Sequence, residues 1–303
     1  MINGFVVIDK PAGITSHDVV SRVRRILGTR KVGHTGTLDP FATGVLPVAV
    51  NDGTKAIPFL DEGVKCYEAV MQLGVATDTL DMTGSVIRER DWVAVTREKV
   101  ESVLKQFTGH LCQIPPMYSA IKQAGQPLYK LARQGQVVER AAREIDIHSL
   151  ELLSFVPPFV SFKVACSRGT YVRTLADDMG ELLGCGGALK ELRRTASGPF
   201  EISSSVSLER LEDAVRLGTL ATLTVNPYVA LSHLPDIPLN DSGLALVRHG
   251  RSPEWPGPNV PVPMETNDGA LVRLSQNGTL IAVAECRPCG AAVPRIILKR
   301  VFM

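Results

Sequence analysis

The chain has 303 residues, with 33 Lys and Arg against 31 Asp and Glu, for a formal charge of +2. That length carries one large domain or a core domain with a smaller companion, and so even a charge balance gives by itself no sign of a nucleic-acid partner. No apolar run reaches the roughly 18 residues of a membrane-spanning helix, and the N-terminus runs straight into a strand pattern, so we expect no span, no signal peptide and a cytoplasmic protein.

Residues 5–8, FVVI, predict a short strand that stops at Asp9-Lys10-Pro11, where Pro11 and Gly13 turn the chain. A helix capped by Ser16 follows to residue 27, because Val19, Val20, Val23, Ile26 and Leu27 share one face and Gly28 suits its left-handed end. Its outer face carries Arg22, Arg24 and Arg25, and Arg30 and Lys31 come next. The stretch 33–46, GHTGTLDPFATGVL, then reads as a loop, since Gly33, Gly36 and Gly44 permit tight bends or a close backbone approach. It holds one imidazole, His34, and one carboxylate, Asp39. An Asp before Pro40 suits a turn, because Asp bonds its own backbone two residues on; it equally suits a chemical role, and the local sequence leaves both open.

Residues 64–73 predict a strand with Lys65, Tyr67, Ala69 and Met71 on one side and Cys66, Glu68, Val70 and Gln72 on the other. Residues 96–107 predict a helix capped by Thr96 with Val100, Val103, Leu104 and Phe107 inward. From Gly109 to Gly135 the chain changes character. Pro115, Pro116, Pro127, Tyr118, Tyr129, Lys122, Lys130 and Arg133 occur there with no acid. A long, weakly periodic basic stretch inside a regular domain reads as a functional excursion, with a solvated loop as the bland alternative.

Strands resume at 144–153 and 159–166, the second with Phe162, Val164 and Cys166 on one face. A helix at 172–183 offers Val172, Leu175, Ala176, Met179, Leu182 and Leu183 as its apolar stripe. Arg173 sits at its start, where the helix dipole favours anions, so it invites a carboxylate partner. Residues 190–194, KELRR, are basic again, and 207–217 predict a helix with Leu208, Leu211, Ala214 and Val215 inward. Pro227, Pro235 and Pro238 mark a boundary over 227–242. Beyond it, short strands at 243–248, 270–274, 279–285 and 295–299 predict a small β module over 233–303, interrupted by the Pro-rich run 253–263 and by the hairpin signal Asn277-Gly278.

Charge is uneven along the chain. Residues 1–60 hold seven Lys or Arg against four acids, 110–143 five against one and 287–303 four against none, whereas 61–109 hold six against nine. Such regions fit an RNA footprint or solvated faces. The cysteines Cys66, Cys112, Cys166, Cys185, Cys286 and Cys289 include one CxxC with no second pair or nearby His, so we read them as reduced thiols and expect no metal. GxGxxG after a strand, GxxxxGK[ST], HExxH and GxSxG are all missing, and the loop has one carboxylate where glycoside hydrolysis wants two. What remains is one carboxylate, a positive partner and an aromatic ring.

FVVIDKPAGITSHDVV, GHTGTLDPFATGVL, KCYEAVMQLG at 65–74, QIPPMYSAIKQAGQPLYKLARQG at 113–135 and SRGTYVRTLADDMG at 167–180 together resemble the TruB family of pseudouridine synthases, in order over residues 3–199. The resemblance implies an α+β pseudouridine synthase fold over 1–228, with a mixed, largely antiparallel sheet flanked by helices. It also implies a thumb-like RNA-clasping insertion at 109–143 and a small β-rich PUA-like RNA-binding domain at 233–303. It implies isomerisation of uridine 55 in the T stem-loop of transfer RNA, with no metal or organic cofactor. Carried onto this chain, Asp39 resembles the nucleophile, Arg173 its ion-pair partner, and Tyr67 the residue that stacks on the base and is a candidate for proton transfer. His34 and Leu192 resemble residues around the flipped base, and Tyr171 resembles one near the aspartate that also contributes to substrate binding. Lys10 with Pro11 resembles a supporting motif, and Lys122, Lys130 and Arg133 resemble phosphate contacts of the thumb. We expect a monomer. Two other readings use the same residues: a non-catalytic RNA-binding or RNA-folding protein, and a nucleoside glycosidase that releases free base.

Overall fold

Near-continuous apolar runs with two-residue alternation dictate one large sheet. The computed structural model describes residues 2–61, 63–255, 269–289 and 292–302. In chain order the sheet contains β1 (Gly4–Lys10), β2 (Val32–His34), β3 (Thr43–Val50), β4 (Val64–Leu73), β5 (Gly109–Gln113), β6 (Arg143–Val156), β7 (Phe159–Ser167), β8 (Gly187–Ser197) and β9 (Thr224–Val225). Across the sheet they run β9-β1-β3-β8-β4-β7-β6-β5, with β2 added to β3 and the two-residue strand Phe200–Glu201 to β8. Within this sheet β3 and β8 pair in parallel, Arg193 opposite Thr43 and Arg194 opposite Gly44; the other pairings are antiparallel. This is the mixed, largely antiparallel sheet expected.

Alternation along β1 and β3 sends side chains to two different cores. Val6, Ile8, Leu46, Val48 and Val50 meet Val19, Val20 and Val23 of helix α1 (Ser16–Leu27) and Leu208 and Leu211 of a second helix, Leu208–Arg216. Phe5, Val7, Val45 and Ala49 face the other way and meet Leu280, Val283 and Phe302 from the C-terminal end of the chain. Over the β4, β7 and β8 half, helix α2 (Arg97–Gln106) contributes Val100, Val103 and Leu104, and the helix Val172–Leu182 contributes Val172, Leu175, Ala176 and Met179. Each fully buried Val or Leu on these faces is worth ~1.5–3 kcal/mol relative to exposure. In chain order, the last two of these helices are α4 (Val172–Leu182) and α5 (Leu208–Arg216); α3 (Leu128–Arg133), α6 (Asp241–Arg248) and the single turns Gly53–Ala56 and Pro227–Ala230 lie elsewhere in the chain.

Several expectations are corrected. The cap of α1 is Thr15: its Oγ1 accepts from the Asp18 amide and the Asp18 carboxylate accepts from the Thr15 amide, a reciprocal box that leaves Ser16 inside the helix. The loop read over 33–46 spans only 35–42, because Gly33-His34 pair with Ala49-Val48 and Gly44-Val45-Leu46 pair with β1. Pro47 obscured that strand in the sequence, since Pro is rare inside sheets. The excursion read from 109 starts after Gln113, because β5 is the edge strand of the large sheet, with Arg143 opposite Gln113. Leu182 and Val215 are exposed, and Phe107 and Leu183 only half-buried, so the apolar stripes of α2, α4 and α5 are narrower than their sequence suggested.

At the C-terminal end, residues 243–248 are helical, not a strand. The Asn240 side chain accepts from the Gly243 amide and caps α6, whose Leu244 and Val247 are buried four and seven residues after the cap, a helical interval. A second sheet runs β10-β11-β12-β13, from β10 (Asp236–Pro238), β11 (Ala270–Gln276), β12 (Thr279–Cys289) and β13 (Ala292–Val301). Asn277 and Gly278 have φ of 50° and 72° and join β11 to β12, as the hairpin signal required. The Pro-rich run 253–263 lies outside the described residues from 256 onward.

The parallel junction demands a glycine. Gly44 has φ +101°, and a Cβ there would lie 2.2 Å from the Arg194 carbonyl oxygen, whereas Gly13 at φ +86° has open space around its Cβ position. Replacement by Ala costs about 1–2 kcal/mol for the backbone conformation at either position. Gly44→Ala is therefore expected to lower the thermal midpoint clearly more than Gly13→Ala in parallel melts, the difference measuring the clash at the junction.

Candidate active site

The loop 35–42 that presents Asp39 is held by buried polar groups before any carboxylate is considered. The Ser16 hydroxyl donates to the Leu38 carbonyl at 3.1 Å and accepts from the Leu38 amide at 2.8 Å. The Lys10 ammonium, fully buried, donates to the carbonyls of Pro11, Ile14 and Pro40 at 2.9, 2.8 and 3.1 Å. Burial lowers Lys10 to about 8; Asp39 opposes that shift, Arg194 adds to it and Asp18 opposes it. Arg194, also fully buried, donates to the carbonyls of Val45, Thr37 and Gly36 at 2.7, 3.4 and 3.0 Å.

Arg173 occupies the second position of α4 and reaches across to this loop. Its Nε donates to Asp39 Oδ2 at 2.8 Å and its Nη2 to Asp39 Oδ1 at 3.2 Å, a forked pair. Its remaining donors go to backbone carbonyls, Nη1 to Thr79 and Nη2 to Tyr118, each at 2.8 Å. A second carboxylate, Asp81, lies 3.7 Å from Arg173 Nε and is itself fixed by Thr79 and Thr83. The side chains of Arg173 and Asp81 are 4% and 5% exposed, that of Asp39 33%. Protein atoms crowd Asp39 on most sides, yet of the two acids only it is reachable.

Burial pushes the Asp39 carboxyl above the usual carboxylate range, while the charge and hydrogen bonds of Arg173 pull it down; Asp81 adds to the rise and Lys10 opposes it. Tyr67 lies in the same apolar cluster as Leu38, Ala42 and Leu192, directly opposite Arg194 on the neighbouring strand. Burial raises its phenol, and the adjacent Arg194 works against that rise. Tyr171 precedes α4, its amide donating to Gln113 Oε1 at 2.8 Å while Gln113 Nε2 donates to its carbonyl at 3.1 Å. Burial raises the Tyr171 phenol too, a shift that the Ser119 hydroxyl opposes.

The sequence-predicted residues thus separate into two groups. Asp39, Tyr67, Arg173, Tyr171, Leu192 and Lys10 converge around one loop. His34 ends β2 next to it. Lys122, Lys130 and Arg133 stand apart on the exposed hairpin and on α3 of the excursion, with Arg133 over the Tyr129 ring at 5.7 Å. Sequence reasoning missed Asp81, Arg194, Ser16 and Ser119. Asp81 had a signal in the Thr- and Asp-rich TDTLDMTG at 77–84, a composition that favours side chain to backbone bonding. Arg194 had none, because a basic pentapeptide reads as surface. Among the described residues no three His, Cys, Asp or Glu side chains gather as a metal-binding group.

The sheet thus gathers one reachable carboxylate from a loop, a forked guanidinium from a helix and a buried tyrosine from a strand, and comparison with known proteins shows the class to be that of the pseudouridine synthases. Residues 24–172 match the TruB family pseudouridylate synthase N-terminal domain, and residues 173–223 match a tRNA pseudouridylate synthase B C-terminal domain. The tRNA pseudouridine synthase B of Geobacter sulfurreducens is 53% identical over 94% of this chain and 93% of its own length. That of Stutzerimonas stutzeri is 44% identical over 98% and 96%. Among solved structures, a chain of a Cbf5-Nop10-Gar1 complex superposes with a TM-score of 0.75 at 29% identity, covering 99% of this chain and 85% of that one. The chain belongs to the TruB family of pseudouridylate synthases.

Arg173 is the counter-charge for two acids, the buried Asp81 and the partly exposed Asp39, so its loss leaves both uncompensated. Arg173→Met is expected to destabilise the protein by about 3–5 kcal/mol. Without the guanidinium the folded-state pKa of Asp39 rises further above its unfolded value, and stability then falls as pH rises through that folded value. Melts at pH 5 and pH 8 should therefore show a larger deficit against wild type at pH 8.

Proposed function

We propose that the chain converts uridine 55 in the T loop of transfer RNA to pseudouridine. The observation that carries this reading is the forked Arg173–Asp39 pair, in which the acid remains reachable while its partner is sealed off. The names of the relatives supply the transfer RNA, and the T stem-loop follows from the motif resemblance. The nucleotide leaves the stacked RNA to reach the site. Asp39, ionised, attacks the ribose carbon or stabilises charge there while the N1–C1′ bond breaks. The uracil turns and bonds C1′ through C5, displacing Asp39 where it had added; C5 then gives up its proton and N1 gains one, with no net redox change and no group lost.

Arg173 keeps Asp39 charged and oriented, and the fork matters, since an ammonium cannot match both oxygens. Tyr67 packs against the base and serves as a route for a proton. Leu192 and Tyr171 line the base pocket, and His34 fills the space near the extruded base. Lys10 supports the loop without reacting. Lys122, Lys130 and Arg133 meet phosphates, interactions that attract and position without reading sequence. Residues 233–303 act as a PUA-like RNA-binding module. The protein works as a monomer in the cytoplasm; among the described residues no helix is long and apolar enough to cross a membrane.

Incubating a T-arm stem-loop labelled in its uridines should yield pseudouridine and no free uracil; free uracil would indicate a glycosidase, and unchanged RNA a binder. Asp39→Asn is expected to remove turnover while RNA affinity stays within about threefold. Loss of binding instead would make Asp39 structural. Neutralising Lys122, Lys130 and Arg133 together should weaken binding and lessen the slope of log K against log salt by about 0.7–0.9 for each phosphate no longer neutralised, read from titrations at several salt concentrations.

A further inference from the structure

We infer that Arg194 is a positioning residue for the reaction, holding the Asp39 loop and the Tyr67 ring in one fixed relation from inside the sheet. The inference rests on the proposed function and concerns a residue that neither the motif resemblance nor the charge pattern singled out.

Arg194 is among the largest fully buried side chains in the protein. Among the described residues no carboxylate comes within ion-pairing distance of it. A buried cation without a counter-ion is costly unless hydrogen bonds satisfy it. Here the charge is met by three backbone carbonyls. Two of them, Gly36 and Thr37, belong to the loop just before Asp39, and the third, Val45, to the strand just after that loop. The backbone of Arg194 grips the same strand at Gly44 through the parallel β3–β8 junction. One residue therefore fixes both ends of the loop.

The other flank is held by Lys10, whose ammonium takes the carbonyl of Pro40 immediately after Asp39. Asp39 thus lies between two cations that touch its loop only through carbonyls, while Arg173 alone touches its carboxylate. Across the antiparallel β4–β8 pair, Arg194 is the register partner of Tyr67. Its positive charge opposes the rise that burial imposes on the phenol. A guanidinium suits this task because its planar set of donors fixes several carbonyls at once, which a single ammonium head cannot reproduce. The groups facing Lys10 are Asp39, Arg194 and Asp18, and those facing Tyr67 include Arg194, Cys166 and Asp39. Repulsion from Arg194 helps to lower Lys10, so loss of Arg194 raises it.

The test uses the full chain, wild type beside Arg194→Lys and Arg194→Gln, with single-turnover rates at saturating enzyme, stem-loop affinity, thermal melts and rate against pH from 6 to 10. We expect folded variants, affinity within about threefold and rates about 100-fold down, the scale of loss when a catalytic group is displaced by about 1 Å. The alkaline limb should move to higher pH in Arg194→Gln and less in Arg194→Lys, which keeps the charge. A merely structural residue would scale the profile without moving it. The inference is overturned by a folded variant with near-normal rate, by rate and affinity falling together, by an unmoved alkaline limb, or by both variants failing to fold. Wild-type protein that makes no pseudouridine overturns the proposed function and the inference together, whereas active wild type with insensitive variants overturns the inference alone.

Discussion

The site is built around a guanidinium that cannot leave. Arg173 is sealed from solvent, shares its charge between Asp39 and Asp81, and spends its remaining donors on the Thr79 and Tyr118 carbonyls. Removing an arginine from water is unfavourable unless its donors are matched. Here four different segments converge to match them: the Asp39 loop, the 77–84 turn, the excursion after Gln113, and α4 itself. The fold is what makes that convergence possible. α4 packs on the β4, β7 and β8 half of the sheet, and the loop is anchored to the β1 and β3 half, so the ion pair spans the parallel junction between them.

The balance of charge follows from the same arrangement. Lys10, Arg173 and Arg194 are buried around two acids, Asp39 and Asp81. Net positive charge at the floor of the site suits a polyanion, and of the two acids only Asp39 is reachable. The opposing pulls on Asp39 have a chemical sense. Burial makes the carboxylate less hydrated and more reactive, and Arg173 keeps that burial from neutralising it.

The excursion is more than an appendage. The Tyr118 carbonyl accepts from Arg173, and Arg140 Nη1 donates to the Pro115 carbonyl at 3.0 Å to close the base of the loop. A segment whose outer face carries Lys122, Lys130 and Arg133 therefore has its inner end on the guanidinium that grips Asp39. The Tyr118 carbonyl thus joins this segment to Arg173 and, through the fork, to Asp39.

Much of this was legible in the sequence where local rules and tertiary demands agree. The strands around Tyr67 and Phe162, the helices after Thr96 and Ser207, and the Asn277-Gly278 hairpin followed from period and turn chemistry. Arg173 at a helix start was anomalous enough to demand an acid, and it has two. Legibility failed where burial reverses a residue's usual habit. KELRR read only as basic, yet all five of its residues lie in the central strand β8 and Arg194 is sealed, since register and not composition decides which side chain points inward. Pro47 concealed β3, and three well-spaced aliphatics concealed the helical turn after Asn240. The unforeseen residues Ser16, Asp81 and Arg194 share one property: each acts on backbone or on another side chain and not on substrate. The order of dependence therefore runs from the sheet junction to the buried cations, from them to the loop, and only then to the one reachable acid.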